Sequence, residues 1–163
     1  IQQAGISEED RPVIAAALAK EAATGEPAMA IELNDGRILT GKTSTLMGSA
    51  SAMLLNALKA SAEIPDETLL MSREVIEPIM ELKTGHLGNH NPRLHTDEIL
   101  IALAICAVND PVAKKAMDQL PALKNCEAHS TVMLSQVDVN TFRKLGIHLT
   151  CEPKHQTKKL FHK

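Results

Sequence analysis

Residues 28–59, AMAIELNDGRILTGKTSTLMGSASAMLLNALK, decide how this chain folds. Met29, Ile31 and Leu33 alternate with Ala30 and Glu32, the period of a strand with one face on a core. Asn34-Asp35-Gly36 predicts a tight hairpin turn built on positive-φ residues. Residues 37–40 return as a second strand. From Met47 to Ala62 the residues are helix formers or small. Leu54, Leu55 and Leu58 give that helix an apolar face, and Gly48, Ser49, Ala50, Ser51 and Ala52 let it approach a sheet closely. The same stretch matches a phosphate-loop pattern, Gly36-x4-Gly41-Lys42-Thr43. Such a loop needs backbone N–H groups converging on phosphate and a helix opening at the Gly-Lys-Thr. Here Ile38, Leu39 and Thr40 favour a strand and Gly36 already serves the turn. The hairpin is therefore the better reading, and nucleotide binding through residues 36–43 is the alternative.

The chain has 163 residues, enough for one domain that buries roughly 70% of its unfolded surface. It begins at Ile1 rather than Met, so a fragment of a longer protein is expected. With two Phe and no Trp or Tyr, it lacks the stacking surfaces that single-stranded nucleic acid requires. A net charge of −3 gives no electrostatic reason to bind a polyanion, so nucleic acid is not an expected partner. Cys106, Cys126 and Cys151 are widely spaced with no CxxC, as for free thiols in a reducing cytosol. The longest apolar run, residues 99–108, is too short to span a bilayer, and no signal peptide is seen. A cytoplasmic, non-membrane protein is expected.

Outside the opening stretch, Ser7 and Asp10 suggest a helix start, with Pro12 in its first turns and Val13, Ile14, Ala17 and Leu18 on its inner face. Residues 69–71 read as a short strand, and Ser72 caps a further helix that Pro78 would delay or bend. A polar loop, GHLGNHNPRLH, covers residues 85–95. Thr96 is read as the cap of the next helix, with Asp97 and Glu98 in its first turn. Because residues 99–108 are apolar all round, this helix is expected to be the buried one. A helix from Pro111 to about Leu120, a strand over residues 128–134, a short helix over 138–145 and a strand over 147–151 complete the pattern. The domain is placed at residues 1–152, with a basic tail at 153–163.

Several segments together resemble one bacterial family: SEEDRPV (7–13), LNDGRILTGKTS (33–44), VIEPIMELKT (75–84), NPRLHTDEILIALAICA (91–107), CEAHSTVMLSQVD (126–138) and LGIHLTCEPKHQTKKLFHK (145–163). They are similar to the C-terminal third of proteins carrying domain of unknown function 1846. The resemblance implies a missing N-terminal region with a phosphate-loop-like segment, and no established reaction. The order helix, strand, strand, helix, then strand, helix, strand also resembles the cytidine-deaminase fold, a three-layer α/β sandwich. In zinc deaminases the start of the second helix carries a metal ligand and, two residues on, a general acid/base Glu. Here those places hold Ser51 and Met53, and the downstream Pro-Cys-x-x-Cys is absent. The expected fold is thus deaminase-like without the zinc signature, with no metal or cofactor.

Three groups of residues carry the functional candidates. Lys42, Thr43 and Ser44 lie between a strand end and a helix start, where an anion could bind. The 85–95 loop offers Asn89, Asn91, Arg93 and His95, with Arg93 providing a bidentate fork for phosphate or carboxylate. Cys126, Glu127 and His129 form the third group, although Cys126 and His129, three apart on a strand, point to opposite faces. The leading expectation is a supporting module that completes a phosphate-related cleft, or an oligomer interface, with the N-terminal region of the same protein. The partners implied are that region, a second copy of the chain, and a phosphate-bearing small molecule. The alternative is an active site within the domain, with Arg93, His95, Glu127 and His129 in one pocket.

Overall fold

The computed structural model describes residues 11–154. Helix α1 (Pro12–Thr24) leads into strand β1 (Ala28–Glu32), which turns back as β2 (Ile38–Lys42). The turn is closed by Gly36 N–H on the Leu33 carbonyl, with Gly36 at φ 94°. Asn34 and Asp35 do not take positive φ. Asn34 instead reaches across to the carbonyls of Ala122 and Lys124, and Asp35 pairs with Arg37. Helix α2 (Ser49–Ser61) follows, then α3 (Arg73–Glu81), α4 (Thr96–Ala107), α5 (Pro111–Met117), β3 (Glu127–Ser130), α6 (Gln136–Leu145) and β4 (His148–Cys151).

The four strands form one mixed sheet in the order β2-β1-β3-β4. β1 runs antiparallel to both β2 and β3, whereas β3 and β4 are parallel across the α6 crossover. Strand alternation divides the core. Ala30 meets Val13, Ile14 and Ala17 of α1, while Met29, Ile31 and Ala128 face the larger cluster built by α2, α4, α5 and α6. Phe142 of α6 is fully buried there.

Helix α2 lies directly on β2. A Cβ at Gly41 would fall 2.2 Å from the Met53 nitrogen, so only glycine allows this approach. The helix runs antiparallel to the strand. Arg37 donates to the Ala60 carbonyl, Asn56 to the Thr40 carbonyl, and Gly41 abuts Met53. Continuing that ladder sets Thr43 level with the first turn of α2, on the same face as Gly41.

Several expectations change. Residues 69–71 form no strand and make no sheet pairing. Helix α3 accommodates Pro78 in its interior and passes into a π-helical turn (Leu82–His86), so the polar loop proper begins after His86. The N-cap of α4 is His95, because Thr96 is already helical. Strand β3 ends at Ser130 rather than residue 134. Helix α4 is not buried on all sides. Ile99, Ala102 and Leu103 face inward, but Ile101, Ile105 and Val108 are 61%, 67% and 78% exposed. An all-apolar helix carries no periodic signal of which side is covered. The Ser7–Asp10 cap lies outside the described residues; α1 itself starts at Pro12 with Arg11 at its N-cap. Of the basic tail, residues 155–163 also lie outside them, and Lys154 pairs with Glu21 of α1.

Candidate functional site

Two of the candidate segments are brought together. Residues 44–48 and the end of the 87–95 loop lie side by side as a short parallel bridge between Met47 and Leu94. Leu94 N–H donates to the Leu46 carbonyl at 3.0 Å, and Gly48 N–H to the Leu94 carbonyl at 3.4 Å. Ser51 Oγ adds a 2.9 Å bond to the same Leu94 carbonyl. Two residues beyond the bridge on each strand, α2 and α4 begin, so the two helix starts are neighbours.

Arg93 sits at this junction. Asn91 fixes the turn before it, its Oδ1 accepting the Arg93 N–H at 3.0 Å. Arg93 Nε donates to the Ser44 carbonyl at 2.6 Å. The two terminal guanidinium nitrogens have no partner among the described residues, so the side chain is held by its root with its fork open. Below it Lys83, only 4% exposed, donates to the Arg93 carbonyl at 2.6 Å and pairs with Glu98 at 2.8 Å. A buried ammonium needs such an ionic and hydrogen-bonded partner set.

The start of α4 is fully furnished. Glu98 Oε1 accepts the His95 N–H at 2.8 Å. Asp138 reaches across from α6, its Oδ1 accepting both the N–H and the hydroxyl of buried Thr96 at 2.9 and 2.8 Å. Its Oδ2 lies 3.5 Å from His95 Nδ1, an ion-pair distance. The facing Asp138 carboxylate raises the His95 pKa, against the opposing effect of burial. Burial alone would raise Asp138, but the contacts from His95 and Thr96 outweigh it and leave its pKa lowered.

The start of α2 differs. Its N-cap is Gly48, with no side-chain cap and no acidic residue in the first turn. Thr43 Oγ1 and Ser49 Oγ are both buried without a hydrogen-bond partner among the described residues. Thr43 thus belongs to this corner, and Ser44 supplies its carbonyl to Arg93. Lys42 is exposed and, by alternation along β2, stands on the opposite sheet face under α1. The phosphate-loop match is realised as a hairpin turn and strand, with α2 opening only at Ser49. Asn89 bonds the Lys83 carbonyl through its N–H, and its side chain is exposed with those of His86 and His90.

His129 is not part of this corner. It faces α1, 2% exposed, with Nδ1 2.7 Å from Thr150 Oγ1 and Nε2 2.8 Å from Glu152 Oε2. Glu127 pairs with Arg11 at 2.8 Å on the same face. The single pocket of Arg93, His95, Glu127 and His129 therefore does not form, because the sheet separates the two pairs. Cys126 lies in the opposite core, where burial pushes its thiol up. Among the described residues no group of three or more His, Cys, Asp or Glu could hold a metal ion.

Sequence reasoning gives Lys83, Glu98 and Asp138 no part in this site, although it places Glu98 and Asp138 at helix starts. The spacing Ser135-x-x-Asp138 resembles a helix start, and it is one, since Ser135 Oγ accepts the Asp138 N–H at 3.3 Å. Nothing local signals that the Asp138 carboxylate serves a different helix.

Comparison with known proteins places the chain in a family. The model of a family described as "Domain of unknown function DUF1846, C-terminal" matches residues 9–161. A UPF0371 protein of Corynebacterium glutamicum (strain R) is 53% identical over 163 residues, covering 100% of this chain and 33% of the relative. One from Streptococcus thermophilus is 52% identical over 98% of this chain and 32% of its own length. One from Corynebacterium diphtheriae is 52% identical over 99% and 32%. The chain spans about a third of the length of the curated relatives it matches. Among the described residues no helix is long and apolar enough to cross a membrane. The chain belongs to the DUF1846 family, as its C-terminal domain.

Proposed function

We propose that this domain is a supporting module that lends an oxyanion-binding corner to a cleft completed by the remainder of the family chain. The observation that carries this reading is Arg93, anchored through Nε to the Ser44 carbonyl with its terminal nitrogens unpartnered among the described residues. A guanidinium so held presents a planar fork suited to phosphate or carboxylate. The uncapped start of α2 stands beside it and favours negative charge. The outward stripe of Ile101, Ile105 and Val108 supports docking. Three neighbouring residues offer less than the roughly 800 Å² per partner of a free-standing interface, but suffice for a domain tethered at high effective concentration.

A deaminase-like fold remains the finer reading of the architecture. The helix–strand–strand–helix order, helices on both sheet faces, and parallel β3 and β4 support it. In that reading Ser51 and Met53 occupy the places of the zinc ligand and catalytic Glu. Ser51 is committed to the Leu94 carbonyl and Met53 is buried under Gly41, so deaminase chemistry is not proposed.

The test is a titration with inorganic phosphate and pyrophosphate followed by amide NMR. Shifts should centre on residues 44–51 and 93–96. Arg93→Ala should weaken binding about tenfold, the loss of one charge-assisted contact. Shifts elsewhere, or equal affinity in the variant, would sink the reading.

A further inference from the structure

The opposite face of the sheet carries a second constellation that the anion corner does not use. β3 and β4 run parallel with His129 directly paired to Thr150. Residues two apart on a strand share a face, so Glu152 follows Thr150 on the same side as the imidazole. Glu152 accepts from His129 Nε2 at 2.8 Å, which places the ring proton on Nε2. Nδ1 is then the basic nitrogen, and the Thr150 hydroxyl donates to it at 2.7 Å. The other acceptor near that hydroxyl, the Ala128 carbonyl, is 3.5 Å away. Arg11, held by Glu127 through one nitrogen, donates through another to Thr150 Oγ1 at 3.1 Å. The base is buried beneath α1, whereas Thr150, whose hydroxyl it serves, is an exposed residue at the end of the described sheet.

From this geometry we infer that Thr150 is a nucleophile, with His129 as its general base and Glu152 as the residue that positions the imidazole. Hydroxyl, imidazole and carboxylate in series form the arrangement that activates weak nucleophiles. The substrate class is a carboxylic ester. Thr150 Oγ1 attacks the carbonyl carbon as its proton passes to His129 Nδ1, and Glu152 stabilises the imidazolium. The bond from carbon to the leaving oxygen breaks, and His129 returns the proton to that oxygen. Water, activated by the same imidazole, then cleaves the threonyl ester, releasing the acid and restoring the hydroxyl. The Arg11 guanidinium, 3.1 Å from Thr150 Oγ1, is the neighbouring cation that an oxyanion formed at the attacked carbonyl would meet.

The experiment uses p-nitrophenyl acetate, following nitrophenolate release and mapping the acetyl group by peptide mass spectrometry. An acetyl group on Thr150 is expected, with release lost in Thr150→Val and kept in Thr150→Ser. His129→Gln and Glu152→Gln should each slow Thr150 acetylation about a hundredfold, the usual weight of general-base assistance. Glu152→Asp should restore part of it, which a merely structural carboxylate would not require. Thr150→Val strips buried His129 Nδ1 of its partner, so its melting temperature is measured alongside. Thr150→Ser, which keeps the hydroxyl, holds the comparison even if a His129 variant fails to fold. Absence of acetyl-Thr150, or unchanged release in a folded Thr150→Val, would overturn the assignment.

Discussion

Helices α2 and α4 begin side by side, yet they are finished in opposite ways. The start of α4 receives a carboxylate from its own first turn and another from α6, and the Asp138 carboxylate satisfies both the N–H and the hydroxyl of Thr96. The start of α2 receives no side-chain cap, and two hydroxyls beside it are buried without partners among the described residues. Helix N-termini carry the same partial positive charge wherever they occur. One of the pair is neutralised from within and the other is left to its surroundings. The contrast says where an external anion would gain most, and it can be attacked from either side.

The largest effect should come from stripping the furnished helix. Asp138→Ala removes both Thr96 bonds and the His95 ion pair, leaving a buried hydroxyl unsatisfied. A loss of about 3 kcal/mol is expected in urea denaturation. The same series checks the sign of the titration. His95 has its folded pKa raised, so its contribution is fully present below its unfolded value of about 6.5 and fades as pH rises through the higher folded value. Asp138 has its folded pKa lowered, so its share is present above about 3.9 and is lost as pH falls through the lower folded value. The parent should therefore lose this stabilisation toward alkaline and toward strongly acidic pH, and Asp138→Ala should flatten both slopes.

The bare helix should respond in the other direction. Thr43→Val replaces an unpartnered buried hydroxyl with a methyl group of similar shape, and should stabilise the anion-free protein by about 1 kcal/mol. A loss of stability on that substitution would mean that the hydroxyl has a partner in solution. The smallest effect should come from Gly48→Asp. Open space surrounds a Cβ at this N-cap position, so the carboxylate can supply the missing cap. A gain of a few tenths of a kcal/mol is expected in thermal melts. More tellingly, added phosphate should then no longer raise the melting temperature, because the internal carboxylate occupies the external anion's place.

The legible and illegible parts of this molecule divide along sequence separation. The 28–59 hairpin and helix could be read because alternation, turn chemistry and small residues are local signals. Arg93 stood out for the same reason, as a fork in an Asn-rich loop. Its anchor did not, since the Ser44 carbonyl is 49 residues away and a carbonyl has no identity in sequence. Asp138 was visible as a helix-start residue but not as the acceptor for Thr96, 42 positions earlier. The Thr150–His129–Glu152 series depends on the register of a parallel pair, which no single strand encodes. The outward stripe of α4 was hidden by uniformity, since every side of the helix read as core.

The sheet also has a history written into its pairing. The β1–β2 hairpin closes over a few residues, and β3–α6–β4 is assembled within a short span. Between them, the bond from Ala28 N–H to Thr131 Oγ1 bridges 103 positions, beside the β1–β3 ladder. Each flank can gain order from nearby contacts, whereas the central seam must first close a long chain loop and repays that entropy only afterwards. The middle of the sheet, not its edges, is therefore expected to set the folding rate, which substitutions at Ala30 and Ala128 would slow more than substitutions in the hairpin turn.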